Sequence, residues 1–179
     1  MTGAGVEQLR FPTGRFTFPR SLSAEERRLA IVAIERLPRE LSVALGEPDD
    51  TAVESRYRDG GWTVRQVVHH LADSHINAYV RTRLALTEEH PTIKPYDEGR
   101  WAELTDVTTL PPRISLQLLD ALHQRWVVLL RSLGEVEFAR TLNHPEHGTM
   151  RLDQLLAMYA WHGEHHVAHI RVALGGGDG

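Results

Sequence analysis

The 179-residue sequence predicts an all-α protein, most economically a four-helix bundle with a long crossover connection and an extended N-terminal arm. Four segments of about 20 residues repeat apolar side chains with the period of an α-helix, and almost no segment alternates as a β-strand does. Cysteine is absent, which excludes disulfides and thiolate metal ligands from the chain. This length is typical of one domain, so we assign residues 1–179 to a single domain.

Composition excludes several partners. The net charge is −4, from 20 basic and 24 acidic residues, and no run of Lys or Arg stands out. We therefore expect neither nucleic acid nor an anionic membrane surface as a partner. No segment has the roughly 18 consecutive apolar residues of a membrane span, and the first residues lack a signal-peptide pattern. The cytoplasm is the expected location.

The N-terminal half predicts an arm and the first two long helices. Residues 1–22 combine prolines with alternating aromatic side chains, which predicts an extended arm without an element of its own. Ser23 followed by Glu26 forms a capping box, so the first long helix begins there and runs to Gly46. Thr63 is the cap of the second.

The second long helix runs to about Glu88 and carries two stripes. Gln66 completes its capping box with Thr63. One stripe is apolar and predicts the core-facing side of the helix. The other is polar, and such a stripe is either solvated surface or the wall of a wet pocket; its members are His70, Ser74, Asn77 and Arg81.

The C-terminal half predicts two more long helices. Residues 89–112 form a long connection that contains four prolines, with a short helix expected over 97–104. The third long helix follows over 113–133. Residues 140–152 contain a turn that suits a small hairpin, and the fourth long helix runs from about Leu152 to the glycines that begin at Gly175.

The fourth helix contains four histidines within eight residues, in the sequence YAWHGEHHVAHI. A solvated face or hydrogen-bonded core histidines would explain some of them. A metal ion explains the set better, because neutral imidazole binds divalent cations well. His162 and His166 stand at i,i+4 on the inward stripe and are the favoured pair. For a third ligand, helical phase alone favours His75 over His70, and the other candidates stay open: His69, His90, His123, His144, His147 and His169.

The motifs HHLADSH, LHQRW, HPE and YAWHGEHHVAHI together resemble the YfiT family of the DinB-like superfamily of four-helix-bundle metalloproteins. The resemblance extends from about Phe16 to Ile170. It implies a homodimer in which each subunit holds one divalent metal, zinc or nickel, on three histidines. Carried onto this sequence, these ligands are His70, His162 and His166, while His165 and His169 are not ligands.

Three protein ligands leave a metal ion open to water or substrate, and this is typical of a catalytic site. Such an ion lowers the pKa of a water or a thiol that binds it. A zincin protease is excluded, because Gly163 stands where that class has its glutamate base. The candidates for groups supporting the reaction are Asp73, Asn77 and Tyr159, together with Asp97 and Glu98.

Three functions remain open. The family is linked to thiol S-transfer, which joins a low-molecular-weight thiol such as bacillithiol to an electrophile. We prefer this hypothesis because the reaction needs few acid or base groups beyond the metal. Members are also widely labelled metal-dependent hydrolases, and hydrolysis by activated water is the alternative. The third is a metal-binding stress-response protein without turnover. The expected partners are a small thiol and an electrophilic substrate.

Overall fold

The computed structural model describes residues 3–175. Its helices are α1 (Gly3–Arg10), α2 (Ala24–Leu45), α3 (Val64–Thr87), α4 (Glu98–Trp101), α5 (Thr105–Thr109), α6 (Arg113–Arg131), α7 (Glu135–Phe138) and α8 (Leu152–Ala173). Two short strands, β1 (Thr141–His144) and β2 (Gly148–Arg151), precede α8, and a short 3-10 helix covers Ala52–Glu54.

The four long helices α2, α3, α6 and α8 form the predicted bundle. Helices α2 and α3 each pack against both α6 and α8, so α2 and α3 lie at opposite corners of the bundle. Helix α3 is therefore the neighbour of α8, and side chains from the two helices can converge. No helix within residues 3–175 combines the length and the apolar character that a membrane crossing requires.

Local signals place the starts of α2 and α3 as predicted. Ser23 accepts a hydrogen bond from the amide of Glu26 and receives the reciprocal bond from its carboxylate. Thr63 and Gln66 make the same pair of bonds at the start of α3. These boxes satisfy amide groups that the first turn of a helix leaves unpaired, and so they fix where each helix begins.

The N-terminal arm differs in part from the prediction. Residues 11–23 are largely extended, as expected, but the arm opens with the helix α1, which the sequence analysis did not predict. This helix packs against α8. A helix of eight residues is marginal alone in water, so tertiary contacts rather than local signals account for it.

The small hairpin is confirmed. Strands β1 and β2 pair antiparallel, with Thr141 opposite Arg151 and His144 opposite Gly148. The turn places His144 and His147 close together beside the end of the arm, where Phe18 packs against His147. The hairpin thus forms one wall of the cavity described below.

Candidate functional site

Helices α3 and α8 bring His70, His162 and His166 together. One ring nitrogen from each residue lies within 4.8 Å of the other two. The Nε2 atoms of His70 and His162 are 3.1 Å apart, and the ring centre of His166 lies 4.5 Å from that of His162. This is the set that the family resemblance implies, and it includes the i,i+4 pair that periodicity favours.

The three histidines fit a divalent metal. Zinc–nitrogen bonds of about 2.0–2.1 Å in tetrahedral geometry separate two ligand nitrogens by about 3.3 Å, close to the His70–His162 distance. Burial lowers the pKa of His70 to about 4 and holds the pKa of His162 and His166 well below the usual value. All three rings are therefore neutral near pH 7, and a neutral ring offers a lone pair to a cation.

The structure places the other candidate histidines differently. His75 is fully buried, and its two ring nitrogens face His162 and His123, at 3.4 and 3.0 Å. His165 Nδ1 lies 3.1 Å from the hydroxyl of Thr13, and the ring stacks on Trp161. These rings surround the three converging histidines without belonging to them.

A second cluster with metal-ligand chemistry lies in the hairpin turn and consists of His144, Glu146 and His147. The Nδ1 atom of His144 accepts a hydrogen bond from the amide of Glu146, 3.2 Å away. A neutral ring that accepts through Nδ1 carries its proton on Nε2 and keeps no lone pair for a metal. Glu146 and His147 are also exposed. The cluster between α3 and α8 is therefore the better metal site.

A cavity of about 620 Å³ opens beside His162. Tyr159, Arg81 and Glu98 line it, together with aromatic side chains of the arm and the long connection. Two further lining groups, the Tyr96 hydroxyl and the Trp161 indole N–H, are buried without a hydrogen-bond partner among the described residues. Buried polar groups are nearly always paired, so these two are suited to a ligand in the cavity.

The electrostatics of the cavity centre on Arg81. Its side chain is only 6% exposed, and it donates hydrogen bonds to the Tyr159 hydroxyl and to the Lys94 carbonyl, at 3.2 and 3.3 Å. Both acceptors are neutral. Burial raises the pKa of Glu98, which lines the same cavity and is also influenced by Glu146 and Arg81. The cavity thus offers a buried cation and a carboxyl group of weakened acidity.

Three of the five predicted supporting residues, Tyr159, Asn77 and Asp73, occupy different places. Tyr159 lines the cavity, and its ring meets that of His75 edge-on. Asn77 donates to the carbonyl of Asp73 in its own helix, and neither residue is among those lining the cavity. Burial raises the pKa of Asp73 to about 6, with a smaller contribution from the negative charge of Asp106 in α5.

Gly163 explains why the zincin arrangement is absent here. A Cβ atom at this position would lie 2.7 Å from Cδ2 of Leu37, because α8 approaches α2 closely at this point. The position next to the first ligand of α8 therefore faces the bundle core rather than the cavity. A glutamate there would have to displace the Leu37 side chain, and it would lie against the core.

Two groups close to the site were not given a role by the sequence: His123, which lies 3.0 Å from His75, and the Arg10 carbonyl, which lies 3.2 Å from Nε2 of His169. His123 was only one of several third-ligand candidates, and the carbonyl of Arg10 was not considered. His123 stands on the apolar face of α6, between Leu119 and Trp126, and this is the signal that marks it. A buried polar side chain within an apolar stripe requires a hydrogen-bond partner.

Comparisons with known proteins identify the family of the chain. The model of the DinB superfamily matches residues 33–170. A protein of Bacillus cereus strain B4264, provisionally named a metal-dependent hydrolase, is 52% identical over 165 residues, which cover 92% of this chain and 95% of that protein. A relative from Bacillus mycoides, also named as a metal-dependent hydrolase, is 50% identical over 165 residues, which cover 92% of this chain and 95% of that protein.

Solved structures show the same fold. YfiT from Bacillus subtilis, described as a probable metal-dependent hydrolase with an unusual four-helix bundle topology, superimposes with a TM-score of 0.88 at 47% identity. The match covers 91% of this chain and 94% of that one. A mycothiol-dependent maleylpyruvate isomerase shares the fold alone, with a TM-score of 0.64 at 24% identity over 83% of this chain and 61% of that one.

Proposed function

Because the chain belongs to the YfiT family of the DinB superfamily, we propose that it is a metal-dependent enzyme whose His70, His162 and His166 hold a divalent cation. We propose zinc as this cation, with nickel as the alternative, since imidazole suits both. A cation held by three histidines would lower the pKa of a thiol or a water molecule that binds it. Elemental analysis of protein purified without chelators identifies the metal.

We further propose that the nucleophile is the sulfur of a small anionic thiol. The observation that carries this proposal is the cavity beside His162, in which the buried charge of Arg81 has only neutral hydrogen-bond partners among the described residues. Buried charges are normally paired, and a carboxylate on the thiol would pair this one. The chain has no cysteine, so a reacting thiol must come from the substrate.

The proposed reaction joins the thiol to an electrophilic carbon. The thiol loses its proton to solvent, its sulfur forms a new bond to the carbon, and the leaving group departs with the bonding electron pair. Arg81 would hold the acid group of the thiol, and the sulfur would lie on the side of the cavity lined by His162. A cavity of about 620 Å³ is within the usual range for small-molecule sites, with room for both reactants.

The test is the zinc-loaded protein with bacillithiol and monochlorobimane, followed by the fluorescence of the conjugate. We expect a rate well above the uncatalysed reaction, its loss in His70→Ala, and an unchanged rate in His90→Gln, whose side chain is exposed. A rate no higher than the uncatalysed one, together with turnover of an ester or amide, would replace S-transfer by hydrolysis. No turnover of either substrate would favour a non-catalytic metal-binding protein.

Hydrolysis is the second candidate, and Glu98 is the observation that favours it. This carboxyl group lines the cavity, and its raised pKa makes it a stronger base than an ordinary glutamate. The variant Glu98→Gln separates the two functions. It should abolish hydrolysis if Glu98 is the base, and it should leave S-transfer within about threefold of the original rate.

A further inference from the structure

Behind the proposed metal ligands lie two sets of hydrogen-bonded imidazoles. The long imidazole chain consists of His123, His75 and His162, and the short imidazole chain consists of His169 and His166. Each chain begins at a backbone carbonyl and ends at a proposed ligand. Because a carbonyl oxygen only accepts hydrogen bonds, its position decides where every proton of the chain lies.

In the long imidazole chain, the Ile34 carbonyl accepts from Nδ1 of His123 at 2.6 Å. Both rings are buried and bond only a carbonyl oxygen or another imidazole, so each ring is neutral and has one proton and one lone pair. The Nε2 atom of His123 must then accept, and Nδ1 of His75 donates to it at 3.0 Å.

The same argument gives the position of the proton on the proposed ligand His162. With its proton on Nδ1, His75 accepts through Nε2, and the partner there is Nδ1 of His162 at 3.4 Å. His162 therefore carries its proton on Nδ1. Its Nε2 atom, which is 3.1 Å from Nε2 of His70, is left with a free lone pair.

The short imidazole chain gives the same result from the other side. The carbonyl of Arg10, at the end of α1, accepts from Nε2 of His169 at 3.2 Å. Nδ1 of His169 then accepts, and Nδ1 of His166 donates to it at 3.4 Å. His166 also carries its proton on Nδ1 and has a free lone pair on Nε2.

We propose that these two chains fix the tautomers of His162 and His166, so that both Nε2 lone pairs are directed to the metal before it binds. His75, His123 and His169 are then positioning residues. The inference rests on the metal site of the proposed function but not on the reaction catalysed there. It also explains why the chain has more histidines around the site than a metal can use. Partners behind a ligand commonly contribute 10- to 100-fold to metal affinity.

The first test reads the tautomers directly in the metal-free wild-type protein, by long-range ¹H–¹⁵N correlation of labelled histidines near pH 7.5. We expect protons on Nδ1 of His162 and His166, and on Nε2 of His169. Protons on Nε2 of His162 and His166 would overturn the proposal. This measurement needs neither activity nor a variant that folds.

The second test measures zinc affinity by competition with a chromophoric chelator, alongside the free energy of unfolding in urea. His123→Phe removes the acceptor for His75 and should weaken zinc binding about 10- to 100-fold. His123→Gln, which can still donate to Ile34 and accept from His75, should restore affinity to within about threefold. His169→Phe and His169→Gln should behave in the same way.

The control is His69→Phe. His69 is buried on α3, but it bonds Ser115 and the Leu110 carbonyl and belongs to neither chain. We expect this variant to lose stability while its zinc affinity changes less than about twofold. Equal zinc affinities in His123→Phe and the wild type would refute the positioning role. Unchanged affinity in His70→Ala would instead refute the metal site, so the two failures are distinguishable.

Discussion

Lowering the pH from 7.5 to 5 should destabilise the metal-free protein by several kcal/mol, because its buried histidines are neutral when folded. Burial lowers the pKa of His70 and of His123 from 6.5 to about 4. Between these values the unfolded chain binds protons that the folded chain does not. The stability from each group is therefore fully present above pH 6.5 and is lost as the pH falls below it.

The magnitude follows from the same two values. At pH 5 a histidine with a pKa of 6.5 when unfolded and about 4 when folded costs about 2 kcal/mol of folding free energy. His70 and His123 together cost about 4 kcal/mol. The lowered pKa values of His75, His162 and His166 add to this loss, whereas the raised pKa of Asp73 offsets part of it, because that carboxyl binds a proton more readily when folded. A domain of this size has only about 5–15 kcal/mol in total.

The assay is urea unfolding followed by circular dichroism, in EDTA, at pH 7.5, 6 and 5. His123→Phe should reduce the difference between pH 7.5 and pH 5 by about 2 kcal/mol, whatever its stability at pH 7.5. His90→Gln, an exposed control, should leave the difference unchanged. A difference below about 1 kcal/mol in the wild type would refute the reasoning, and so would an equal difference in His123→Phe.

Three further outcomes are expected. His162→Ala should weaken zinc binding at least about 100-fold in chelator competition, since it removes one of three ligands; a loss under threefold would contradict the site. Arg81→Gln should raise KM for an anionic thiol about tenfold or more with kcat within about twofold, because it removes a charge-assisted hydrogen bond. The control variant Arg83→Gln, at an exposed position, should change neither constant. Equal KM values for Arg81→Gln and the wild type would reject the anion contact. Gly163→Glu should lower the free energy of unfolding in urea by about 3 kcal/mol or more, because its Cβ would meet Leu37 at 2.7 Å and its carboxylate would face the core. Wild-type stability in this variant would contradict that packing.

Much of the fold was predictable because its signals are local. The capping boxes at Ser23 and Thr63 fix the starts of α2 and α3 by bonds between residues three positions apart. The i,i+4 pair His162 and His166 needs only helix geometry. By contrast, α1 has no strong local signal, and its contact with α8 could not be seen along the chain.

The third histidine shows why the rest of the site was less predictable. A helical wheel gives the direction of a side chain from its own axis, but not which neighbour lies in that direction. His75 does point to the bundle centre, as the apolar phase of α3 indicated, and there it meets His123 as well as His162. His70 points towards α8, a relation fixed only when the helices pack, and the family resemblance supplied it.

The long imidazole chain crosses the whole bundle. It starts at a carbonyl of α2, continues through side chains of α6 and α3, and reaches α8. A shift of any of these helices by even part of a 5.4 Å turn would separate two of its members. The zinc affinity measured by chelator competition would therefore depend on how all four long helices are aligned. Substitutions that create a cavity far from the cation should weaken zinc binding before the bundle unfolds.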